Sequence, residues 1–205
     1  MNQAIIFIIL LFCLSCDQKR PNDWQTISGR DSPQERLIIR HPIYRARIPK
    51  SWKRVDPSPE TSIVDTTLPI IEFWIEDQIR ITLHNFPADR IPPMAQITRW
   101  KSQLKELPPK EALVEPVSRA GYAGFYFEGR TKEKLVMGWA LQLDHEHYRA
   151  LSKHVNESNR GFIQQMKADV TIKVVGPPDL SDQHRGEITV FANSFELIQE
   201  IPRSS

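Results

Sequence analysis

The chain has 205 residues, 40% of them hydrophobic, and its 27 lysines and arginines nearly balance its 25 aspartates and glutamates, for a formal net charge of +2. Acidic and basic residues alternate along most of the chain, which argues against nucleic acid as a partner, because phosphate-binding proteins normally carry a clustered basic face. Both cysteines, Cys13 and Cys16, lie near the start. The remainder therefore cannot form an internal disulfide and must be stabilised by packing.

The first predicted element is an apolar block without charge over residues 4–15. It shows neither the alternation of a strand nor the periodicity of an amphipathic helix, and it is shorter than the ~20 residues that span hydrocarbon. A short apolar stretch that ends at a small residue is typical of a secretory signal peptide, although a positively charged start is missing here. We predict that residues 1–15 form a signal peptide.

Ser15 and Cys16 resemble the lipobox of a bacterial lipoprotein, in which a small residue precedes the cysteine that becomes lipidated. Cys13 departs from that motif, which usually has leucine there. The resemblance implies a covalent lipid (palmitate and related chains) on Cys16, no other cofactor, and a bacterial cell-envelope protein whose domain faces the periplasm or the exterior. Two or more acyl chains are needed for stable anchoring to a lipid bilayer. The alternatives are an ordinary cleaved signal peptide and an uncleaved anchor.

Residues 16–40 contain Pro21, Gly29 and Pro33 among polar residues and predict a flexible tether, in which Trp24 either enters the lipid interface or docks on the domain. Residues 41–205 predict a single domain. Near its start lies the densest basic group, Arg45, Arg47, Lys50, Lys53 and Arg54. This group is either a solvated strand edge and turn, or a patch that faces anionic lipid or an acidic partner.

The body of the domain contains alternating strand patterns separated by turns. A first strand ends at Pro49, and a hairpin over 71–75 and 79–83 places Ile71, Phe73 and Ile75 on one apolar face. Trp74 points away from that face, toward either a second helix layer or a partner. Further strands are predicted over 113–117, 122–128, 135–143 and 148–151.

Three helices are predicted from apolar periodicity. The first runs from Pro93 to about residue 107, the second over 156–167, and the third carries Ile188, Phe191, Phe195 and Ile198 on one stripe. A strand over 170–175 follows the second helix. Strands with few helical crossovers predict an antiparallel sheet covered by helices, which is the α+β class.

Four short motifs resemble the PsbP/Mog1 type of domain, a twisted antiparallel sheet sandwiched by helices. They are Tyr44-x-Ala46-x-Ile48-Pro49-x-Ser51-Trp52, the glycine-rich stretch over 121–129, the acidic turn around Asp144 and the closing stretch over 191–195. The helix and strand over 156–175 are expected to be an insertion. The resemblance implies a non-catalytic role in binding to larger assemblies, but no functional residue can be transferred one by one.

His145 and His147 are the sharpest candidates for chemistry, because two histidines spaced by two in a strand share a face and could ligate a divalent metal. The alternative is a solvated polar turn. No nucleophile elbow, phosphate-binding glycine loop or zinc-protease helix occurs in the sequence.

We therefore predict a membrane-anchored extracytoplasmic lipoprotein that is not an enzyme and acts as a binding or assembly-accessory module with an unknown envelope partner. It would act through a sheet face or edge, with Arg45, Arg47 and Trp74 as candidate partner-facing residues. The competing hypotheses are a metal-dependent or hydrolytic envelope enzyme with its site near His145 and His147, and a structural module of an outer-membrane assembly machine.

Overall fold

A computed structural model describes residues 24–27, 44–55, 69–86, 91–104, 112–144 and 169–197 of the chain. The strands in these ranges are β1 (Trp24–Ile27), β2 (Tyr44–Arg47), β3 (Lys53–Val55), β4 (Ile71–Ile75), β5 (Ile79–Phe86), β6 (Leu113–Arg119), β7 (Tyr122–Arg130), β8 (Leu135–Leu143), β9 (Asp169–Gly176) and β10 (Glu196–Leu197). The helices are α1 (Pro93–Ser102), α2 (Pro178–Gln183) and α3 (Arg185–Ser194).

The strands form two sheets in which every pairing is antiparallel. The larger sheet has the order β3-β4-β5-β9-β8-β7-β6, and the smaller one has the order β1-β2-β10. The predicted α+β class is confirmed by this sheet and its helices. The predicted hairpin is also confirmed, since Ile71 pairs with Leu83, Phe73 with Ile81 and Ile75 with Ile79.

One face of the large sheet carries the main core. Buried side chains of alternate residues in β4, β5, β8 and β9 pack there against α3 and against β2. Phe191 of α3 lies in the centre, with ring centroids 5.6 Å from Phe73 and 5.3 Å from Trp52. From β2 and the residues just after it, Tyr44, Ala46 and Ile48 are fully buried, as their alternation predicts.

The opposite face is covered by α1 over β7 and β8. Ile97, Trp100 and Leu104 pack there against Phe127, Val136 and Ala140. The side chains of β8 are therefore buried on both faces, with Gln142 half-buried near the end of the strand. The large sheet thus lies between helices, with α1 on one face and α3 on the other.

The expectation that residues 156–175 form an insertion is wrong for the strand. β9 is hydrogen-bonded to β5 on one side and to β8 on the other, in the middle of the large sheet. Its β-branched residues suit this position because both faces of a central strand are buried. The predicted strand over 148–151 and helix over 156–167 lie outside the described residues.

Several element boundaries differ from the prediction. α1 ends at Ser102 rather than near residue 107, and α3 ends at Ser194, after which Phe195 is extended and leads into β10. The short helix α2 follows Pro177 and was not predicted. Trp24–Ile27, within the predicted tether, pair with β2.

Candidate functional site: a cationic groove

Trp74 is the one predicted site residue that the described structure places on an open groove. Its backbone pairs with Arg80 of β5, and Arg80 in turn pairs with Val175 of β9. In the neighbouring row, Glu72 pairs with Thr82, and Thr82 pairs with Lys173. Since opposed residues of paired strands project to the same side, these side chains lie on the face that α1 covers over β7 and β8.

An open groove of about 650 Å³ lies on this part of the face. We call it the cationic groove and define it by Trp74, Arg80, Thr82, Glu133, Lys134 and Lys173, with Gln78, Val175, Gly176 and Pro177 completing its wall. Two hairpin turns bound it, residues 76–78 between β4 and β5 and residues 131–134 between β7 and β8. In the second turn the Lys134 N–H donates to the Thr131 hydroxyl at 3.1 Å.

Arg80 is held in place by a carboxylate and a ring. Its Nε donates to Glu72 Oε2 at 3.0 Å, its second terminal nitrogen pairs with Glu72 Oε1, and its guanidinium carbon lies 5.9 Å from the centre of the Trp74 ring. The hydrogen bonds to Glu72 raise the pKa of Arg80. The charge of Arg80 is therefore balanced by that of Glu72.

Lys173 has no comparable counter-charge among the contacts of the described residues. Its ammonium donates to the neutral amide oxygen of Gln103, just beyond α1. Burial of the half-buried side chain, followed by repulsion from Lys134, Arg99 and Arg80, lowers the pKa of Lys173 to about 8. The groove therefore has a floor that carries excess positive charge and suits an anion.

The other predicted partner-facing residues lie elsewhere. Arg45 and Arg47 belong to β2 in the small sheet, on the side of the large sheet that carries the main core, whereas Trp74 projects to the opposite side. Arg47 is exposed, and its backbone N–H donates to the Ser194 hydroxyl at 2.7 Å. The structure therefore does not bring these arginines together with Trp74.

Three predicted site residues, Cys16, His145 and His147, lie outside the described residues, so lipidation and metal binding stay predictions. Within the described ranges, no group of three or more histidine, cysteine, aspartate or glutamate side chains is arranged to hold a metal ion. In that same part of the chain, no helix combines the length and the apolar character needed to cross a membrane.

Sequence reasoning missed Arg80, Lys134 and Lys173. A usable signal was present in the β9 pattern, where Lys173 interrupts a run of β-branched residues. A lysine inside a central strand is unusual and indicates that its side chain reaches a polar region of the sheet face. Arg80 lies in another strand and Lys134 in a hairpin turn, and only the strand order brings them to the same groove as Lys173.

A smaller pocket of about 390 Å³ lies at the opposite end of β7 and β8, beside Tyr122, Leu143 and Asp144. Behind it, the buried Asn85 amide donates to the Tyr44 hydroxyl at 3.4 Å, and the Leu143 N–H donates to Asp169 Oδ1 at 3.4 Å. Burial raises the pKa of both Tyr44 and Tyr122. Both phenols are therefore neutral near pH 7, and we assign this cluster a structural role.

No family model and no curated protein matches the chain. Among solved structures, the chain is similar to cyanobacterial PsbP (CyanoP) from Synechocystis sp. PCC 6803, with a TM-score of 0.43 and 12% identity over 76% of this chain and 86% of that one. It is also similar to LpqN, a protein involved in cell envelope biogenesis of Mycobacterium tuberculosis, with a TM-score of 0.43 and 13% identity over 75% and 82%. CyanoP is of the PsbP type that the four motifs resemble. Identities and TM-scores this low carry no information on the function of this chain.

Proposed function

We propose that this chain is a non-catalytic binding module, held at the surface of a bacterial membrane by lipid on Cys16, that binds negatively charged groups in the cationic groove. The observation that carries the binding role is the excess positive charge around Lys173 on an open part of the sheet face. The apolar block over residues 4–15, which ends at Ser15 and is followed directly by Cys16, supports the anchor.

The anchor is tested by the mass and location of the mature protein. We expect the full chain expressed in bacteria to lose residues 1–15, to gain the mass of acyl chains on Cys16 and to fractionate with membranes. Cys16→Ala should leave the membrane fraction. A mature N-terminus with an unmodified sulfur, or membrane association unchanged by Cys16→Ala, would contradict the anchor.

The binding role is tested with polyanions on the full chain in non-ionic detergent. Poly-glutamate and polyphosphate should slow amide exchange in β5 and β9, while poly-lysine should not. Lys134→Glu should weaken this binding because it reverses a charge on the groove. Lys50→Glu is the matched control, because Lys50 is exposed and lies away from the groove. It belongs to the turn before Trp52, and the ring of Trp52 packs against Phe191 of α3 on the opposite face of the large sheet. Equal weakening by both variants would contradict a binding site in the groove.

The proposal that the module is not an enzyme is tested at the two histidines. A metal-dependent enzyme would carry stoichiometric metal that is lost from the His145→Ala/His147→Ala double variant. We expect the purified full chain and the double variant to have the same metal content. A difference between them would favour the enzyme hypothesis over a binding module.

A further inference from the structure

The charges that line the cationic groove are not balanced. Glu72 neutralises Arg80 through two hydrogen-bonded contacts, so this pair contributes little net charge. Among the described residues, Lys134 and Lys173 line the groove with one acid, Glu133. Arg99 does not line it but lies close enough to repel Lys173, so within the described ranges these three bases outnumber that acid by two.

This excess matches the charge of one particular anionic group. A phosphate ester carries about −1.5 to −2 charges near neutral pH and three acceptor oxygens, whereas a carboxylate carries a single charge. Lysine ammonium groups bind phosphate as point charges with rotatable donors, so two lysines close enough to repel each other can share one phosphate. The Thr82 hydroxyl lines the same groove, where it donates to the Lys173 carbonyl oxygen at 3.4 Å.

The shape of the groove distinguishes a soluble ligand from a membrane headgroup. Lys173 lies in the middle of the sheet, half-buried, with its ammonium against Gln103, while the hairpin turns at 76–78 and 131–134 stand at the groove's end. A bilayer presents its phosphates in a plane and reaches protruding side chains first. A small molecule can enter a concavity of this size and reach its floor.

We propose that Lys173 and Lys134 recognise the phosphate of a small soluble phosphate ester in the cationic groove, an inference that rests on the proposed function. Lys173 is the recognition residue on the floor, and Lys134 is the second cation on the hairpin wall. Arg80 holds Trp74 in position and does not itself need to contact the ligand.

The test is calorimetric titration of the full chain, purified from membranes in non-ionic detergent, with glycerol phosphate. We expect one site per chain, with an affinity that drops at least about tenfold, or 1.4 kcal/mol, in Lys173→Met and in Lys134→Gln. Lys50→Gln is the matched control and should bind like the wild type. Glycerate, which replaces the phosphate with a carboxylate, should bind at least about tenfold more weakly.

The pH dependence of the affinity for glycerol phosphate distinguishes recognition by Lys173 from general electrostatic attraction of the anion to the groove. Because the pKa of Lys173 is lowered to about 8, the wild-type affinity should drop about tenfold between about pH 7 and about pH 9. Lys173→Arg keeps its charge over that range and should lose this dependence. An unchanged pH dependence in Lys173→Arg would overturn the assignment of Lys173.

Three other results would overturn the inference. The first is wild-type affinity for glycerol phosphate in Lys173→Met. The second is binding to phosphatidylglycerol vesicles, but not to phosphatidylcholine vesicles, without binding of soluble glycerol phosphate. The third is binding of poly-glutamate without binding of glycerol phosphate, which would leave the proposed function standing and remove only the phosphate ligand.

Discussion

Gly138 shows how a single residue positions α1 on the sheet. It lies in β8 opposite Lys173, and a Cβ built there would lie 2.3 Å from the Trp100 ring. The absence of a side chain therefore lets the largest ring of α1 sit directly on the strand. Trp100 in turn is almost fully buried, so this contact determines how closely the helix approaches.

We predict that Gly138→Ala destabilises the fold by about 1–3 kcal/mol, because a well-packed contact has to open to admit the methyl group. Gly186→Ala in α3 is the matched control, since a Cβ there would meet no atom within 4 Å. That variant should be neutral, or more stable by up to about 1 kcal/mol, since alanine favours helix more than glycine. Chemical denaturation of both variants measures the difference. An equal change in stability in both variants would contradict the conclusion that Gly138 makes room for the Trp100 ring.

Lys173 also affects stability. Its folded pKa lies below the ordinary value, so the unfolded chain holds this proton more tightly between pH 8 and 10.5. The charged ammonium of Lys173 therefore lowers the free energy of unfolding below pH 8. The free energy of unfolding recovers as the pH rises from 8 to 10.5. Allowing for solvent screening, Lys173→Met should stabilise the fold near pH 7 on the order of 1 kcal/mol.

Thermal denaturation of wild type and Lys173→Met from neutral to alkaline pH measures this effect. The gap between the two melting temperatures should narrow as the pH rises above 8. A gap that does not depend on pH would show that the ammonium is not the cause.

At the scale of elements, an ionic network fixes α2 and α3 to β7. Arg185 donates to both carboxylate oxygens of Glu128, at 2.7 and 2.9 Å, and to Asp182 at 2.8 Å, while Arg130 also pairs with Asp182. The Tyr126 hydroxyl donates to Glu128 at 2.6 Å. The bond from Arg185 and the other contacts of Glu128 lower its pKa, and Arg130 with Arg185 lowers that of Asp182.

We predict that Glu128→Gln destabilises the fold near pH 7 by about 1–2 kcal/mol, because Arg185 loses its bidentate partner. A carboxylate with a lowered folded pKa stabilises the fold above its unfolded pKa and loses that effect as the pH falls through its folded pKa. The difference in the free energy of unfolding between wild type and Glu128→Gln should therefore shrink below about pH 4. Urea denaturation from neutral to acidic pH measures it. A constant difference would contradict a role for the ionised carboxylate.

At the scale of the whole molecule, one core joins both sheets. Tyr44 of the small sheet, Phe73 of the large sheet and Phe191 of α3 belong to a single buried cluster. The Tyr44 ring also lies 5.1 Å from that of Phe195, which follows α3. Within the described part of the chain, the small sheet thus shares its buried side chains with the large one, and we expect the two sheets to unfold together.

We predict that Phe191→Ala costs about 3–5 kcal/mol, because it removes a ring from the centre of this cluster. Val190→Ala is the neighbouring control, since Val190 is 46% exposed and should cost little. Wild type and Phe191→Ala should each unfold in one transition by near-ultraviolet circular dichroism and by calorimetry. A second transition that belongs to the small sheet would contradict a shared core.

The sequence by itself determined the local features of this protein. Alternation identified β4, β5 and the hairpin that they form, because one buried face demands every second residue to be apolar. The sequence also predicted β8, whose side chains proved to be buried on both faces. Periodicity identified α1 and α3, but not their last residues. Phe195 is as apolar as Phe191, and only its extended backbone before β10 shows that the helix has ended.

Only the tertiary structure decided which residues that are distant in the sequence come together. It placed β9 between β5 and β8, where the resemblance to a known domain had implied an insertion, because strand order depends on long-range pairing that no neighbouring residue encodes. The same strand order brings Arg80, Lys134 and Lys173 to one groove, although 54 and 39 positions separate the successive members. The basic residues that are neighbours in sequence, Arg45 and Arg47, belong to another sheet.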